Sequence, residues 1–321
     1  MEKYCISIII PNYNHASFLE RRLETVFEQT LQNFEVILLD DCSTDQSREI
    51  LSKYKKHPKT SHCIFNKKNI GSPFKQWEKG IKLAKGDFIW IAEADDFCES
   101  NFLEETIKPL MNDDKITVSY CQSSRANFRG VITGNWITHT NQFSSKIFNQ
   151  DFTMHGNVFI EKFLIHKNVI PNVSAVIFRK SHLEKILPLS YEPYQKYNAD
   201  WYYYVQLLCN SKVAFISKSL NHFRYHENSV ISRAGGESGW IKIFKMELKV
   251  RKKMVEYLEK CKPSNLEEIK FQSEIGNKKL YYLIAKGFVK ENKHFKGIST
   301  MLNKPDILKK ILKYSIKHIL K

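Results

Sequence analysis

Apolar residues in the first hundred positions fall into short β-branched runs, each ending on a polar cluster. Ile6-Ser7-Ile8-Ile9-Ile10 stops at Pro11-Asn12-Tyr13-Asn14, and Glu35-Val36-Ile37-Leu38-Leu39 stops at Asp40-Asp41-Cys42-Ser43-Thr44-Asp45. A third run, Phe88-Ile89-Trp90-Ile91-Ala92, leads into the carboxylates of Glu93, Asp95 and Asp96. Runs of this length and composition predict buried strands. Helical patterns follow the first two, over roughly 15–29 and 44–55, with Ser43 or Thr44 placed to cap the second. Strand, helix, strand, helix at this spacing predicts an α/β fold with a mostly parallel sheet, right-handed crossovers and flanking helices. Ligands of such open sheets bind at the carboxyl ends of the strands. Three polar strand ends are therefore expected to converge on one cleft.

The third strand end carries the most chemistry. A rigid strand that projects acids from a sheet edge suits hard divalent cations, Mn2+ or Mg2+, particularly where a diphosphate is held as well. Solvated turns also carry acids, so the segment alone leaves both readings open. Later elements add to it. Asn172 to Lys180 reads as a strand entering a helix, and Asn198-Ala199-Asp200-Trp201 precedes an apolar helix. Alternation from Asn221 to His226 puts residues 222, 224 and 226 on one face of a strand.

Taken together, Ser7 to Asn14, Glu35-Val36-Ile37-Leu38-Leu39-Asp40-Asp41-x-Ser43-x-Asp45, Asn69-x-Gly71, Ala84-x-Gly86 and Glu93-x-Asp95-Asp96 resemble the opening of family-2 glycosyltransferases with a GT-A fold. The resemblance runs from about residue 4 to about residue 233 and keeps the usual order and spacing. It implies a Rossmann-type, GT-A-like sheet, a nucleotide-sugar donor and an inverting transfer. Asp95 matches the metal-binding second acid of the D-x-D motif. Glu93 stands at the first acid, one methylene longer, where contact with the donor ribose or a metal-bound water competes with direct ligation. Asp96 is either a further ligand or a cap for a helix starting near Glu99. Asp41 matches the position that recognises the nucleotide base, with a turn aspartate as the alternative. Pro11 and Tyr13 match the loop that lies against the base, with ordinary core as the alternative for Tyr13, and Asn69 and Gly71 belong to a turn that either brings the backbone close to the donor or is a plain tight turn. Asp200 matches the acceptor-side acid, a general base for the incoming hydroxyl or a simple helix cap; Ala199 replaces the glutamate that often precedes it. Arg224 and His226 resemble an R-x-H element, implying a phosphate grip and a second metal ligand. Ser174 or Asn172 would line the acceptor side. Trp77, Trp136 and Trp201 are either sugar platforms or core.

Length and charge set the frame. The 321 residues are read as a nucleotide-sugar-binding half (1–115), an acceptor-binding half (116–235) and a basic helical C-terminal extension (236–321). That extension holds most of the basic excess, since residues 241–321 carry 21 Lys/Arg against 8 Asp/Glu while the chain's net charge is +16. Helices are expected over about 237–260 and 265–289, with a basic amphipathic one near 304–320. The last either lies on an anionic membrane surface or packs its apolar face on the protein. Seven scattered cysteines without C-x-x-C pairs, and no apolar run near the ~20 residues a spanning helix needs, point to a reduced, cytoplasmic protein, peripheral at most. Nucleic acid is not an expected partner, because no zinc-finger spacing, RRM signature or P-loop accompanies the basic charge. The expected acceptor is a glycan or lipid-linked glycan in bacterial surface polysaccharide assembly. A catalytically silent glycan-binding protein and a metal-dependent nucleotidyltransferase are the alternatives; the second lacks a Gly-rich triphosphate loop at Pro11-Asn12-Tyr13-Asn14.

Overall fold

The computed structural model describes residues 5–143, 146–189, 198–226 and 237–300. The chain divides into two compact units, the first comprising Met1–Phe159, Val169–Tyr191 and Asn210–Tyr225. Its elements begin with β1 (Ile6–Asn12), α1 (Ala16–Phe27), β2 (Phe34–Asp40), α2 (Ser47–Tyr54), β3 (Thr60–Phe65), α3 (Pro73–Leu83), β4 (Phe88–Ile91), β5 (Phe97–Cys98), α4 (Phe102–Asn112) and β6 (Ile116–Ala126). They continue with β7 (Ile132–Asn135), α5 (Ile137–Thr140), β8 (Phe152–His155), α6 (Gly156–Phe159), β9 (Val176–Arg179), α7 (Lys180–Lys185) and β10 (Lys212–Arg224).

One sheet runs β3-β2-β1-β4-β9-β6-β10-β5. Strands β3, β2, β1 and β4 are parallel, as the alternation of runs and helices predicts. Beyond β4 the sheet is mixed. β9 pairs antiparallel with both β4 and β6, while β10 pairs parallel with β6. The apolar faces of β1, β2 and β4 pack with Leu19, Leu23 and Val26 of α1 in one core cluster. Gly86 fixes the entry to β4. A Cβ there would lie 2.7 Å from the Ser7 main-chain nitrogen, so only glycine lets this turn meet β1. The turn is also bonded: Gly86 N donates to Ser7 Oγ at 2.8 Å, and Ser7 Oγ donates to Glu35 Oε1 at 2.6 Å.

The cap of α2 differs from expectation. Gln46, not Ser43 or Thr44, holds the cap position, and Ser47 N donates to Asp45 Oδ1 at 3.0 Å. Ser43 is diverted to β1, its Oγ accepting from Asn14 N at 3.0 Å and Asn12 Nδ2 at 3.1 Å. Cys42, just before Ser43, has a left-handed backbone (φ +65°).

The second unit comprises Ile160–Asn168, Glu192–Cys209 and His226–Lys321. It contains a π-helical turn at Ile160–Leu164, then α8 (Ala199–Leu208), α9 (Glu237–Cys261), α10 (Leu266–Lys290) and α11 (His294–Ser299). The two long helices match those read from periodicity. Arg251 of α9 is buried, donates to the carbonyls of Ile165 and His166, and stacks 5.2 Å from the Trp201 ring centroid. The amphipathic segment near 304–320 lies outside the described residues. Among those described, no helix is long and apolar enough to cross a membrane.

Candidate active site

The ends of β1, β2 and β4 lie side by side, because Asn12 pairs with Asp40 and Ile9 with Ile91 in register. Past β4 the chain makes the acidic turn Glu93 to Asp96. Glu93 is partly buried, accepts from Trp77 Nε1 at 2.8 Å, and has its carboxyl pushed up to about 8 by burial and then by repulsion from Asp95. Asp96 is buried, and its pKa is raised by burial and by Asp95. Its oxygens accept from Arg224 N at 3.0 Å and Asn172 Nδ2 at 2.6 Å. It therefore caps no helix; α4 starts at Phe102, and Asn101 holds its cap position. Asp95, flanked by these two, is partly exposed, as is Glu93. A carboxylate oxygen of Asp95 and a ring nitrogen of His15 lie within 4.8 Å of each other, a mixed oxygen–nitrogen pair of the kind that can ligate a divalent cation.

Asp41 organises the next wall. Its buried carboxylate accepts from Asn66 Nδ2 and Gln76 Nε2, each at 2.8 Å, from Ile70 N at 3.0 and 3.1 Å, and from Gly71 N at 3.1 Å. Asn69 Nδ2 returns to the Asp41 carbonyl at 3.0 Å, and Gly71 turns the chain at φ +71°. The predicted donor-side residues Asp41, Asn69 and Gly71 thus form one bonded loop. Pro11 is buried in β1, while Tyr13 beyond it is 45% exposed, an open aromatic rather than core.

Arg224, read from sequence as a phosphate grip, is used internally. It is buried, with Nε donating to the Asp95 carbonyl at 2.7 Å and Nη1 to the Phe128 carbonyl at 2.8 Å. Its guanidinium stacks on Phe18 and Phe97, 4.8 and 5.0 Å from their ring centroids. In this geometry it braces the acidic turn. Ser174 is buried too, its Oγ accepting from Glu93 N at 3.1 Å. Ser174 and Asn172 therefore support the turn instead of lining an acceptor pocket. Trp77, Trp136 and Trp201 are all buried.

In the second unit, Asp200 occupies the first turn of α8, whose cap position is Asn198. Its Oδ1 accepts from Trp201 N at 2.8 Å, and burial pushes its carboxyl up to about 6. Trp201 anchors the helix start through Nε1, which donates to the Leu164 carbonyl at 2.8 Å. His226, partly buried, is the residue after Tyr225 and follows Arg224 by two positions.

Sequence reasoning missed His15 and Arg22. His15 directly follows Pro11-Asn12-Tyr13-Asn14, so its place at the polar end of β1 was legible. Arg22 lies on the buried stripe Leu19, Arg22, Leu23, Val26 of α1, where a charge in an apolar pattern was the signal.

The model of glycosyl transferase family 2 matches residues 7–187. The putative teichuronic acid biosynthesis glycosyltransferase TuaG of Bacillus subtilis is 30% identical over 109 residues, which are 34% of this chain and 43% of that protein. The chain thus spans less than half the length of this curated relative. Among solved structures, S. aureus TarS 1–349 in complex with UDP-GlcNAc has a TM-score of 0.59 at 17% identity, over 91% of this chain and 89% of that one. The mannosyltransferase PcManGT from Pyrobaculum calidifontis, in complex with GDP-Man and Mn2+, has a TM-score of 0.60 at 13% identity, over 100% and 87%. At these identities the two structures speak to the fold, which is GT-A. With the family matched over more than half of its length, the chain belongs to glycosyl transferase family 2.

Proposed function

We propose that the enzyme moves a sugar, with inversion, from a nucleotide-sugar, a UDP-sugar first among them, to a glycan or lipid-linked glycan in bacterial surface polysaccharide assembly. The observation that carries this reading is the acidic turn at the end of β4, where a carboxylate oxygen of Asp95 lies within 4.8 Å of a ring nitrogen of His15. A relative named for teichuronic acid biosynthesis supports the surface-polysaccharide setting, and a neighbour holding UDP-GlcNAc supports the donor class.

Asp95 would hold a divalent cation, Mn2+ or Mg2+, with His15 and His226 as nitrogen ligands. Bound there, the cation supplies neutralisation of the departing diphosphate. The loop of Asp41, Asn69 and Gly71 would seat the nucleotide, with Pro11 and Tyr13 against its base. Glu93 would meet the donor ribose or a metal-bound water. Asp200 would take the proton from the acceptor hydroxyl as the new bond forms. Its raised pKa keeps it basic enough to do so, and its place in the first turn of α8 favours the ionised form. Residues 304–320 would hold the enzyme to an anionic membrane surface.

The test is turnover of a panel of nucleotide-sugars against lipid-linked glycan acceptors, in Mn2+ and in EDTA. The reading expects one donor to be consumed only with metal, and Asp200→Asn to slow turnover by about 10²- to 10⁴-fold while still binding the donor. Turnover at the wild-type rate in Asp200→Asn would remove the base assignment.

A further inference from the structure

Arg22 is an arginine in a core position. The buried face of α1 presents Leu19, Arg22, Leu23 and Val26, and Arg22 is 0% exposed. Its guanidinium lies against the inner side of the acidic turn. Nε donates to the Glu93 carbonyl at 2.8 Å, Nη2 stands 4.0 Å from Asp96 Oδ2, and Cζ is 5.5 Å from the Trp90 ring centroid. Neither terminal amino group finds a hydrogen-bond partner among the described residues. A guanidinium taken out of water is costly unless opposite charge compensates it. The compensating charge here is that of the turn, with Asp96 nearest. From β10, Arg224 Nε donates to the Asp95 carbonyl at 2.7 Å. Two arginines, one from α1 and one from β10, therefore hold the carbonyls of Glu93 and Asp95 in a single turn.

We infer that Arg22 is a positioning residue for the donor-site cation. By holding the Glu93 carbonyl and countering Asp96, it fixes the backbone from which Asp95 projects. It thereby sets how tightly the turn takes a divalent cation together with a nucleoside diphosphate. Arg22 touches neither donor nor metal itself; its effect passes through the turn. The inference rests on the reading of Asp95 as a metal ligand proposed above.

The test is Mn2+ uptake, followed by the electron-spin resonance of free Mn2+ at saturating UDP, for wild type, Arg22→Met, Arg22→Gln and Arg22→Lys. Thermal unfolding without metal is recorded in parallel. Supporting groups behind metal ligands are typically worth 10- to 100-fold in affinity, so both neutral variants should lose about tenfold or more, with lysine restoring affinity to within about threefold. A role confined to packing predicts the opposite order, with methionine retaining Mn2+ affinity and lysine losing it. Neutral variants that fold and bind Mn2+ within about twofold of wild type overturn the inference. So does failure of both neutral variants to fold while lysine folds, which assigns Arg22 to stability. Wild type that takes up no Mn2+ with UDP, GDP or dTDP removes the underlying site reading, and the inference with it.

Discussion

Asp41→Asn separates two roles that one carboxylate can play. In the structure, Asp41 accepts from two side-chain amides and two main-chain amides, those of Asn66, Gln76, Ile70 and Gly71. An asparagine keeps the shape but replaces one acceptor oxygen with an NH2 group. Placed to spare Asn66 and Gln76, that group faces Gly71 N and the Ile70 N it shares. A hydrogen bond to a charged group contributes about 1.5–3 kcal/mol. Ile70 and Gly71 are exposed, so water can take up the freed amides and the loss stays at about 1.5–3 kcal/mol, concentrated in the loop of residues 66–76. Since each 1.4 kcal/mol is tenfold, the Ile70 and Gly71 amides should exchange with solvent about 10- to 150-fold faster in the mutant. Native-state hydrogen exchange reads this directly, and UDP affinity should fall alongside. Exchange at the wild-type rate would refute the reasoning, because the carboxylate would then not be what holds the loop. Unchanged loop exchange with lost UDP binding would instead assign Asp41 to the base alone.

Other consequences follow from the titrating groups and the tail. A base must be ionised to work, so with the Asp200 carboxyl at about 6, kcat/KM should rise with pH through about 6 and fall tenfold per unit well below it; a profile flat from pH 5 to 7 contradicts the assignment. With Glu93 pushed up to about 8, its carboxyl is mostly protonated at pH 7, and an arriving cation favours the ionised form. Metal binding at pH 7 should therefore release about one proton, seen as a dependence of the calorimetric enthalpy on the buffer's ionisation enthalpy; identical enthalpies in phosphate and Tris would exclude it. Truncation before residue 300 removes the segment read from sequence as a basic amphipathic helix, with Ile307, Leu308, Ile311 and Leu312 among lysines. It should abolish co-sedimentation with anionic vesicles, whereas unchanged co-sedimentation excludes the tail as the anchor.

How much of this was legible in the sequence depends on the range of the interaction. Strands β1, β2 and β4 are contiguous apolar runs, so their boundaries and polar ends could be read locally, as could α9 and α10 from their periodicity. The antiparallel insertion of β9 between β4 and β6 could not. Val176–Arg179 lies far along the chain from Phe88–Ile91, and nothing local to either states that they pair. The same limit applies to side chains. Asp41 was found by its position, but its partners Asn66 and Gln76 come 25 and 35 residues later, joined to it only by the fold. Arg224 was singled out by a motif, and the motif does not reveal that its Nε turns inward to Asp95. Asp96 illustrates competition: a helix cap is a local option, but an amide of β10 and the side chain of Asn172 take both its oxygens first.

The central claim is that Asp95 holds a cation through which the enzyme takes a nucleotide-sugar. Calorimetric titration of UDP, with GDP and dTDP as comparators, into wild type and Asp95→Asn, in Mn2+ and in EDTA, tests it most directly. The account predicts that one nucleotide binds wild type in Mn2+, and that binding is lost in EDTA and in Asp95→Asn. Equal binding in EDTA, or in the mutant, would contradict a metal site at Asp95; binding of no nucleotide under either condition would contradict the donor site itself.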